Sequence, residues 1–405
     1  MKANFSLQLT VAMLSIIFCT LESKIGSMWF KYCLLYKSKH ERCTEIDFMV
    51  SMIFLKKQAS TAVFSPMGCD MNLLIQCYDS NFESENKEKG REDLNFVKNQ
   101  MKNLVSETFN SSTCFYKRYE LTQKDITYIG FMHAIYSMSN EQYVFKKHHN
   151  VSIKSYTEQL FKEHTEWLEE KSFGLLSTPL KASLFINNDN IFGTFIYLNE
   201  IWEKKFVKDT SCKNIFILSY GRPIFRDFIK RKDFFKYAKF VLDDLEFQIV
   251  AIRYEKKFKG SLTSYMIYLI PSNHSTDLSK LWDAFYTCSN GNICTFIKNL
   301  KQEKIDLRLP TLERFQSNFN LINLLYDVFK YNTAYNLFSS LSTYINIDEN
   351  GVEKNDLERD NCSNKSSRED TCVIANKTYI SFVYQMQTKR ILFLIKDTGK
   401  IKIQN

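Results

Sequence analysis

Six asparagines beyond the first 23 residues stand in the Asn-X-Ser/Thr pattern, in which the side-chain amide accepts an N-linked oligosaccharide. They are Asn110, Asn150, Asn273, Asn361, Asn364 and Asn376. A single triplet of this kind is weak evidence, but six together favour a protein that passes through the secretory pathway. We therefore expect N-linked glycans.

The cysteines give a second indication of an oxidising compartment. The chain has eleven, and ten remain if a leader containing Cys19 is removed, which is an even number suited to disulfides. Cys69 and Cys77 are eight residues apart on one predicted helix, so at ~1.5 Å rise per residue they lie about 12 Å apart and cannot bond each other. The locally spaced candidates for bridges are Cys33 with Cys43, Cys288 with Cys294, and Cys362 with Cys372.

Motifs for catalysis and for cofactors are missing from the sequence. It contains no G-x-S-x-G elbow, no H-E-x-x-H zinc motif, no C-x-x-C pair and no glycine-rich phosphate loop. The adjacent His148 and His149 lie in the basic run "FKKHH", where solvated histidines are typical. We expect neither an enzyme, nor a metal site, nor a cofactor.

The first residues resemble a secretory leader. Lys2 precedes the uncharged run "LQLTVAMLSIIFCTL" over Leu7–Leu21. About 15 apolar residues suit the hydrophobic region of a signal peptide better than a membrane span. We expect residues 1–23 to be removed, which makes the mature protein secreted, extracellular and free of the membrane; a retained anchor is the alternative interpretation.

The net charge of +9 comes with short basic runs such as "FIKRKDFFKYAK" over Phe228–Lys239. The runs are dispersed, which favours solvated surface over a nucleic-acid-binding patch. Lys98 and Lys102 lie four residues apart and share one face of a predicted helix, which would suit an anionic glycan; ordinary surface charge is the competing interpretation.

The elements that must position these groups alternate between helix and strand. "DFMVSMIFLKK" (Asp47–Lys57) predicts an amphipathic helix, "TAVFSP" predicts a strand, and Ser65 with Pro66 predicts the start of the next helix. Later runs such as "IFGTFIYL", "FQIVAIRY" and "SYMIYLIP" predict strands, and Phe319–Phe329 predicts a helix. "TYISFVYQM" and "RILFLI" flank a short turn and predict a hairpin. The fold class is therefore α+β.

Seven fragments, in chain order, resemble the serpin family of serine protease inhibitors. They are "TAVFSPMGCDMNLL", "WLEEKSFGLL", "FIYLNEIWEKKFVKDTSCKNIF", "VAIRY" with "SYMIYLIP", "IDLRLPTLERFQSNFNLINLLYDV", "INIDENGVE" and "NKTYISFVYQMQTKRILFLIKD". The resemblance implies a serpin fold of about nine helices around three β-sheets. It also implies a serpin domain over 47–405, preceded by an extension over 24–46, with an exposed reactive-centre loop at about 349–377.

An inhibitory serpin, as the resemblance implies, is cut in this loop and forms an acyl-enzyme, after which the first half of the loop inserts as a new strand in the central sheet. The loop hinge here comprises Glu349, Gly351, Val352, Glu353, Lys354 and Asp356. The family keeps the residues after the hinge small, whereas this chain continues "KNDLERD". Because side chains alternate along a strand, one face carries Lys354, Asp356 and Glu358 and the other carries Glu353 and Arg359.

Either register buries charge, and each unpaired buried ion costs several kcal/mol. We therefore expect a secreted serpin that does not trap proteases and instead binds a partner or ligand. The family's polar cluster beneath the sheet points the same way, because its places hold Gly68, Thr165 and Leu341, with only Ser65 retained.

The alternative is a working inhibitor of a trypsin-like serine protease. Counting from the hinge gives Lys365–Ser366 as the nominal scissile bond, within about three residues, and Arg368 would also suit such an enzyme. The two glycosylation triplets in the loop, at Asn361 and Asn364, would hinder a protease. The partner is thus a serine protease or an unidentified extracellular ligand, and we expect a monomer.

Overall fold

The structure is a computed structural model, and the helices and strands given below are those of the residues that it describes. The described residues are 41–70, 72, 116–121, 129–137, 153–172, 174–176, 180–181, 183–184, 190–198, 200–210, 214–255, 263–324, 337–349 and 371–400. Their helices are α1 (Glu41–Lys57), α2 (Ile153–Lys171), α3 (Leu278–Cys288) and α4 (Ile293–Asn299). Three shorter helical segments cover residues 66–70, with Asn72 also helical, residues 183–184 and residues 321–324.

The larger sheet has nine strands. Its order is β1 (Ala62–Phe64), β16 (Arg390–Asp397), β15 (Tyr379–Gln385), β10 (Ser264–Pro271), β9 (Leu245–Arg253), β8 (Phe228–Leu242), β11 (Lys301–Pro310) and β14 (Thr371–Ile374), with β5 (Val207–Lys208) pairing β8. The neighbours are antiparallel except β11 and β14, which are parallel. The predicted hairpin of the last two strands is confirmed as β15–β16.

The five-stranded sheet has the order β12 (Leu312–Asn320), β13 (Leu337–Ile347), β4 (Asn190–Leu198), β3 (Ile129–Ser137) and β2 (Tyr116–Leu121). Its inner pair, β13 and β4, is parallel, whereas the other three pairings are antiparallel. A third sheet consists of β6 (Ile215–Ile217) and β7 (Pro223–Phe225). The α+β fold with three sheets that the sequence predicts is confirmed.

Two apolar layers cover the five-stranded sheet. The main core fills the space between this sheet, the nine-stranded sheet and helices α1 and α3, and its aromatic pairs include Phe54 stacked on Phe64 with ring centroids 5.0 Å apart. A second cluster joins Trp167 and Leu168 of α2 to Phe195 and Tyr197 of β4. The inner strands of this sheet are therefore covered on both faces.

Local sequence signals explain where several elements begin. Ser65 caps the helical segment 66–70, because its Oγ accepts a hydrogen bond from the Gly68 N–H at 2.9 Å. Helix α1 contains the predicted residues 47–57 but begins six residues earlier, at Glu41. No helix among the described residues is long and apolar enough to cross a bilayer.

Two expectations from the sequence are wrong. Phe319 and Asn320 were predicted to open a helix, but they extend β12 and pair with Leu341 and Ser340 of β13, so that helical conformation begins only at residue 321. Pairing with a neighbouring strand outweighs the local apolar pattern here.

The predicted bridge between Cys288 and Cys294 does not form, since both thiols are free. Cys288 lies at the end of α3, whereas Cys294 is buried in the first turn of α4 with its Sγ 3.8 Å from the Met386 carbonyl oxygen. The other two candidate bridges involve Cys33 and Cys362, which lie outside the described residues.

Candidate functional site

Strand β13 leads directly into the segment predicted to be the reactive-centre loop, at about 349–377. The surroundings of β13 therefore determine whether this loop can insert into the sheet. β13 runs parallel to β4 over eight residue pairs, from Leu337–Asn190 to Tyr344–Tyr197. A segment that leaves β13 and folds back between these strands would be antiparallel to both. One parallel ladder would then become two antiparallel ladders, which are slightly more stable per residue.

The end of β13 is held by two residues that follow β4. The indole N–H of Trp202 donates to the Asp348 carbonyl oxygen at 3.0 Å, and the Phe206 backbone N–H donates to the Glu349 carbonyl oxygen at 2.8 Å. Trp202 is buried and stacked on Tyr254, with ring centroids 4.7 Å apart. The loop therefore starts from a fixed point.

Side chains at the junction of β4 and β13 are buried on both faces of the sheet. Leu341 and Ile345 of β13 and Ile196 of β4 enter the main core. Tyr344 of β13 and Tyr197 of β4 join the cluster under α2. A strand inserted at this junction would meet a buried layer whichever way its side chains pointed.

The side chain of Asn72 forms hydrogen bonds with both β4 and β13. Its Nδ2 donates to Thr194 Oγ1 of β4 at 2.7 Å and to the Ser340 carbonyl oxygen of β13 at 3.3 Å. Its Oδ1 accepts from Ser339 Oγ of β13 at 2.9 Å. Asn72 and Thr194 are fully buried and Ser339 nearly so, which makes these hydrogen bonds costly to leave unmade.

A second polar contact ties the neighbouring strands to β1. Ser317 Oγ of β12 accepts from the Val63 N–H at 3.0 Å, and Thr343 Oγ1 of β13 donates to the Val63 carbonyl oxygen. These bonds join β12 and β13 to β1, not β13 to β4. Asn72 is thus distinguished by contacting both sides of the parallel junction.

Three of the positions that the resemblance assigns to a polar cluster lie close together, namely Ser65, Gly68 and Leu341. An added Cβ on Gly68 would be 3.0 Å from Leu341 Cδ1 and 3.0 Å from Ser65 Oγ. Ser65 Oγ donates to the Leu392 carbonyl oxygen at 2.6 Å, while Thr165 Oγ1 donates to the Phe161 carbonyl oxygen within α2 at 2.9 Å. Ser65 therefore has backbone hydrogen-bond partners. The apolar Leu341 stands at a position where the resemblance implies a polar residue.

Sequence reasoning missed Asn72, Thr194 and Ser339. The only local signal is an asparagine in the otherwise apolar stretch "DMNLLIQ", where a buried amide needs partners. Those partners are 122 and 267 residues away along the chain, so no local pattern identifies them.

A buried charge cluster holds the helical segment 66–70 at the end opposite to Ser65. Arg390 of β16 donates to both carboxylate oxygens of Asp47, at 2.8 and 2.9 Å, and to Asp70 at 2.7 Å. Burial raises the pKa of Asp47 from 3.8 to about 6, although the attraction of Arg390 opposes that rise. Burial also raises the pKa of the Cys69 thiol, so this cysteine stays protonated and unreactive.

Most predicted loop residues lie outside the described part of the chain. Glu349 is described, and its partly buried carboxylate lies 3.8 Å from Nζ of the exposed Lys208. Those outside are Gly351, Val352, Glu353, Lys354, Asp356, Lys365, Ser366, Asn361 and Asn364. Lys98, Lys102, Asn110 and Asn150 also lie outside it.

Two glycosylation triplets can be placed in the fold. Asn273 is exposed in a turn after β10, where its Oδ1 accepts from Ser275 N at 3.0 Å and Ser275 Oγ at 2.9 Å. Asn376 is half-buried and its carbonyl accepts from Ile217 N, while Thr378 of the same triplet is buried. Of these two, Asn273 is the accessible acceptor in the folded protein.

The comparisons with known proteins agree on the architecture. The family model of the serpins (serine protease inhibitor) matches residues 48–396. No curated protein sequence matches the chain. Similar solved structures include native protease nexin-1 with heparin, which shares 13% identity and a TM-score of 0.61 over 89% of this chain and 98% of that one.

Two further structures show the same likeness. A serpin from the trematode Schistosoma haematobium is 15% identical with a TM-score of 0.62, covering 90% of this chain and 100% of that one. Thyroxine-binding globulin in complex with thyroxine is 12% identical with a TM-score of 0.58, covering 89% and 99%. Identities this low show the fold alone.

Proposed function

The chain belongs to the serpin family, and from that premise we propose that it is a secreted serpin that is cut by trypsin-like proteases without trapping them and acts by binding an extracellular partner. The observation that carries the proposal is the burial of both faces of the β4–β13 junction, where the cut loop of an inhibitor would have to insert.

The charges of the loop are incompatible with that junction. A strand matching the eight paired residues of β4 and β13 draws in the segment after Gly351, which contains Lys354, Asp356 and Glu358. Three unpaired ions at several kcal/mol each cost on the order of 10 kcal/mol. That cost is comparable with the whole stability of a folded domain, about 5–15 kcal/mol, so insertion stalls while the acyl-enzyme hydrolyses.

The fold itself is compatible with a binding role, since one similar structure is thyroxine-binding globulin with thyroxine. The net charge of +9 also suits an anionic glycan, and another similar structure is protease nexin-1 with heparin. If the mature protein is retained on a heparin column and this retention is lost at moderate salt, the result would support the glycan as a partner. If the protein is retained no longer on heparin than on a neutral matrix, the glycan is excluded as a partner.

The proposal is tested by incubating the mature protein with trypsin and separating the products in SDS. We expect cleavage in the loop and no SDS-stable covalent complex. A variant with Glu353→Ala, Lys354→Ala, Asp356→Ala, Glu358→Ala and Arg359→Ala removes the charges from both faces and should yield a measurable fraction of complex.

The matched control neutralises charges beyond both candidate cleavage residues, Lys365 and Arg368, as Glu369→Ala and Asp370→Ala. It should behave like the unchanged protein, because this segment lies outside the inserting half. A covalent complex formed by the unchanged protein would contradict the proposal and establish the alternative, an inhibitor of a trypsin-like protease that is cut near Lys365–Ser366.

A further inference from the structure

Strands β8 and β11 turn one face to the core and the other to solvent. Ile229, Ile305 and Leu307 are fully buried in the main core, whereas Lys232 and Lys304 on the opposite side are exposed. The two strands pair without a register shift over ten residue pairs, so side chains paired across them lie on the same side of the sheet. The solvent side of β8 and β11, together with the flanking strands β5 and β14, is called the outer face below.

The outer face carries an excess of positive charge. Its five cations are Lys230, Lys232, Lys236, Lys304 and Arg308. Two acids contact them: Lys230 Nζ donates to Asp209 Oδ1 at 3.1 Å, and Arg308 lies 3.5 Å from Asp209 and 3.3 Å from Asp306. Five cations against two acids make this face complementary to an anionic partner.

Two exposed apolar side chains lie on the same face as these cations. Phe234 is 60% exposed and pairs with Lys304, while Val207 of β5 is 58% exposed and pairs with Lys230. Four residues of β8 separate the two places, which is about 13 Å at ~3.3 Å per residue. Exposed apolar side chains interspersed with lysines are typical of surfaces that adsorb to a membrane, because the apolar groups enter the interface while the ammonium groups stay with the headgroups.

We propose that the outer face is a docking surface for a membrane of anionic phospholipids. Lys232 and Lys304 contact the headgroups, and Val207 and Phe234 enter the boundary between headgroups and acyl chains. A sulfated glycan would be recognised by the charges alone and would gain nothing from the two apolar side chains. The inference goes beyond the proposed function, since such adsorption is peripheral, needs no retained leader and does not depend on whether the cut loop inserts.

The test is flotation of the mature protein with vesicles of phosphatidylcholine alone, or of phosphatidylcholine with about one-third phosphatidylserine. We expect binding to the anionic vesicles to be tighter by about tenfold or more. Lys232→Gln with Lys304→Gln should weaken this binding by about fivefold for each lysine lost. Val207→Ser with Phe234→Ser should weaken it by about fivefold or more, since both side chains leave water on docking.

Matched controls carry the same changes at exposed residues of the same types away from the outer face. Val241→Ser with Phe225→Ser replaces side chains that are 70% and 83% exposed. Val241 is seven residues after Phe234 on β8 and so lies on the opposite side of the strand, and Phe225 belongs to the two-stranded sheet. Lys56→Gln with Lys280→Gln removes two exposed charges from α1 and α3. Both controls should bind the anionic vesicles as tightly as the unchanged protein.

Equal binding to the two kinds of vesicle would overturn the proposal, as would equal losses in the outer-face variants and their controls. If the serine variants of Val207 and Phe234 bind vesicles normally while the glutamine variants of Lys232 and Lys304 lose retention on heparin, the face binds a sulfated glycan and the lipid proposal is overturned. All four side chains are exposed, so each variant should unfold at the same denaturant concentration as the unchanged protein. A loss of vesicle binding at unchanged stability would therefore support the docking surface.

Discussion

Asp47 gives the most quantitative prediction, because it is a fully buried acid whose pKa is displaced upward. Its side chain and that of Asp70 share the single guanidinium of Arg390, and all three side chains are buried. Burial is the largest cause of the rise to about 6, and the neighbouring charge of Asp70 adds to it. The folded protein therefore holds a proton on Asp47 at pH values where the unfolded chain has lost it.

The sign of the pH dependence follows from that proton. The free energy of unfolding falls with rising pH wherever the folded state binds more protons than the unfolded state. Between about pH 4 and pH 6 the Asp47 contribution to stability should decline by about 3 kcal/mol, since one pKa unit corresponds to about 1.4 kcal/mol. Below and above that range the contribution should be constant.

The perturbation is Asp47→Asn, which keeps the shape of the protonated side chain and removes its titration. The free energy of unfolding is measured by denaturant titration for the unchanged protein and the variant at half-unit steps from pH 4 to pH 7. We expect the stability of the variant relative to the unchanged protein to rise by about 3 kcal/mol across the range. Taking the difference cancels the titration of the carboxyl groups that do not interact with Asp47.

Asp70→Asn is the control for the shared guanidinium. It removes one like charge beside Asp47, so the decline in stability should shift to lower pH. If the difference in the free energy of unfolding between Asp47→Asn and the unchanged protein does not change with pH, the reasoning is refuted. A difference of the opposite sign would show that attraction to Arg390 outweighs burial.

Three other predictions concern the surroundings of the site. Trp202→Phe keeps an aromatic ring but loses the indole donor to Asp348, so we expect a loss of about 1–3 kcal/mol in denaturant titration, and an unchanged stability would contradict the anchor. Gly68→Ala places a methyl group 3.0 Å from Leu341, and we expect a loss of about 1–3 kcal/mol; the double variant with Leu341→Ala should lose less than the sum of the two single variants, and a neutral single variant would contradict the crowding. Asn273→Gln should increase the electrophoretic mobility of the secreted protein by one glycan, whereas Asn376→Gln should have a smaller effect or none, and the reverse order would show that folding does not control acceptor access.

The sequence predicts those parts of the fold whose causes are local. Ser65 and Pro66 mark a helix start because the capping hydroxyl is three residues from the amide it accepts from. The strands β9, β10 and β15 follow from short runs of β-branched and aromatic side chains. The resemblance to serpins rests on fragments of this kind, and the family model over residues 48–396 bears it out.

Features that depend on distant partners could not be predicted in this way. Phe319 and Asn320 have a helix-like local pattern, yet they are strand residues because β13 is available to pair with them. Cys288 and Cys294 are close in sequence, but the two helices that carry them leave both thiols free. The Asn72 bonds need β4 and β13 in their final register, which only the complete sheet provides.

The most direct test of the central claim is the thermal stability of the protein after a single cut in its loop. If the segment after Gly351 is too charged to enter the sheet, the cut protein should unfold within a few degrees of the intact protein, since about 1 kcal/mol corresponds to about 2–4 °C in a large domain. A much higher unfolding temperature after cleavage would show that Lys354, Asp356 and Glu358 have entered the junction of β4 and β13, and would contradict the account.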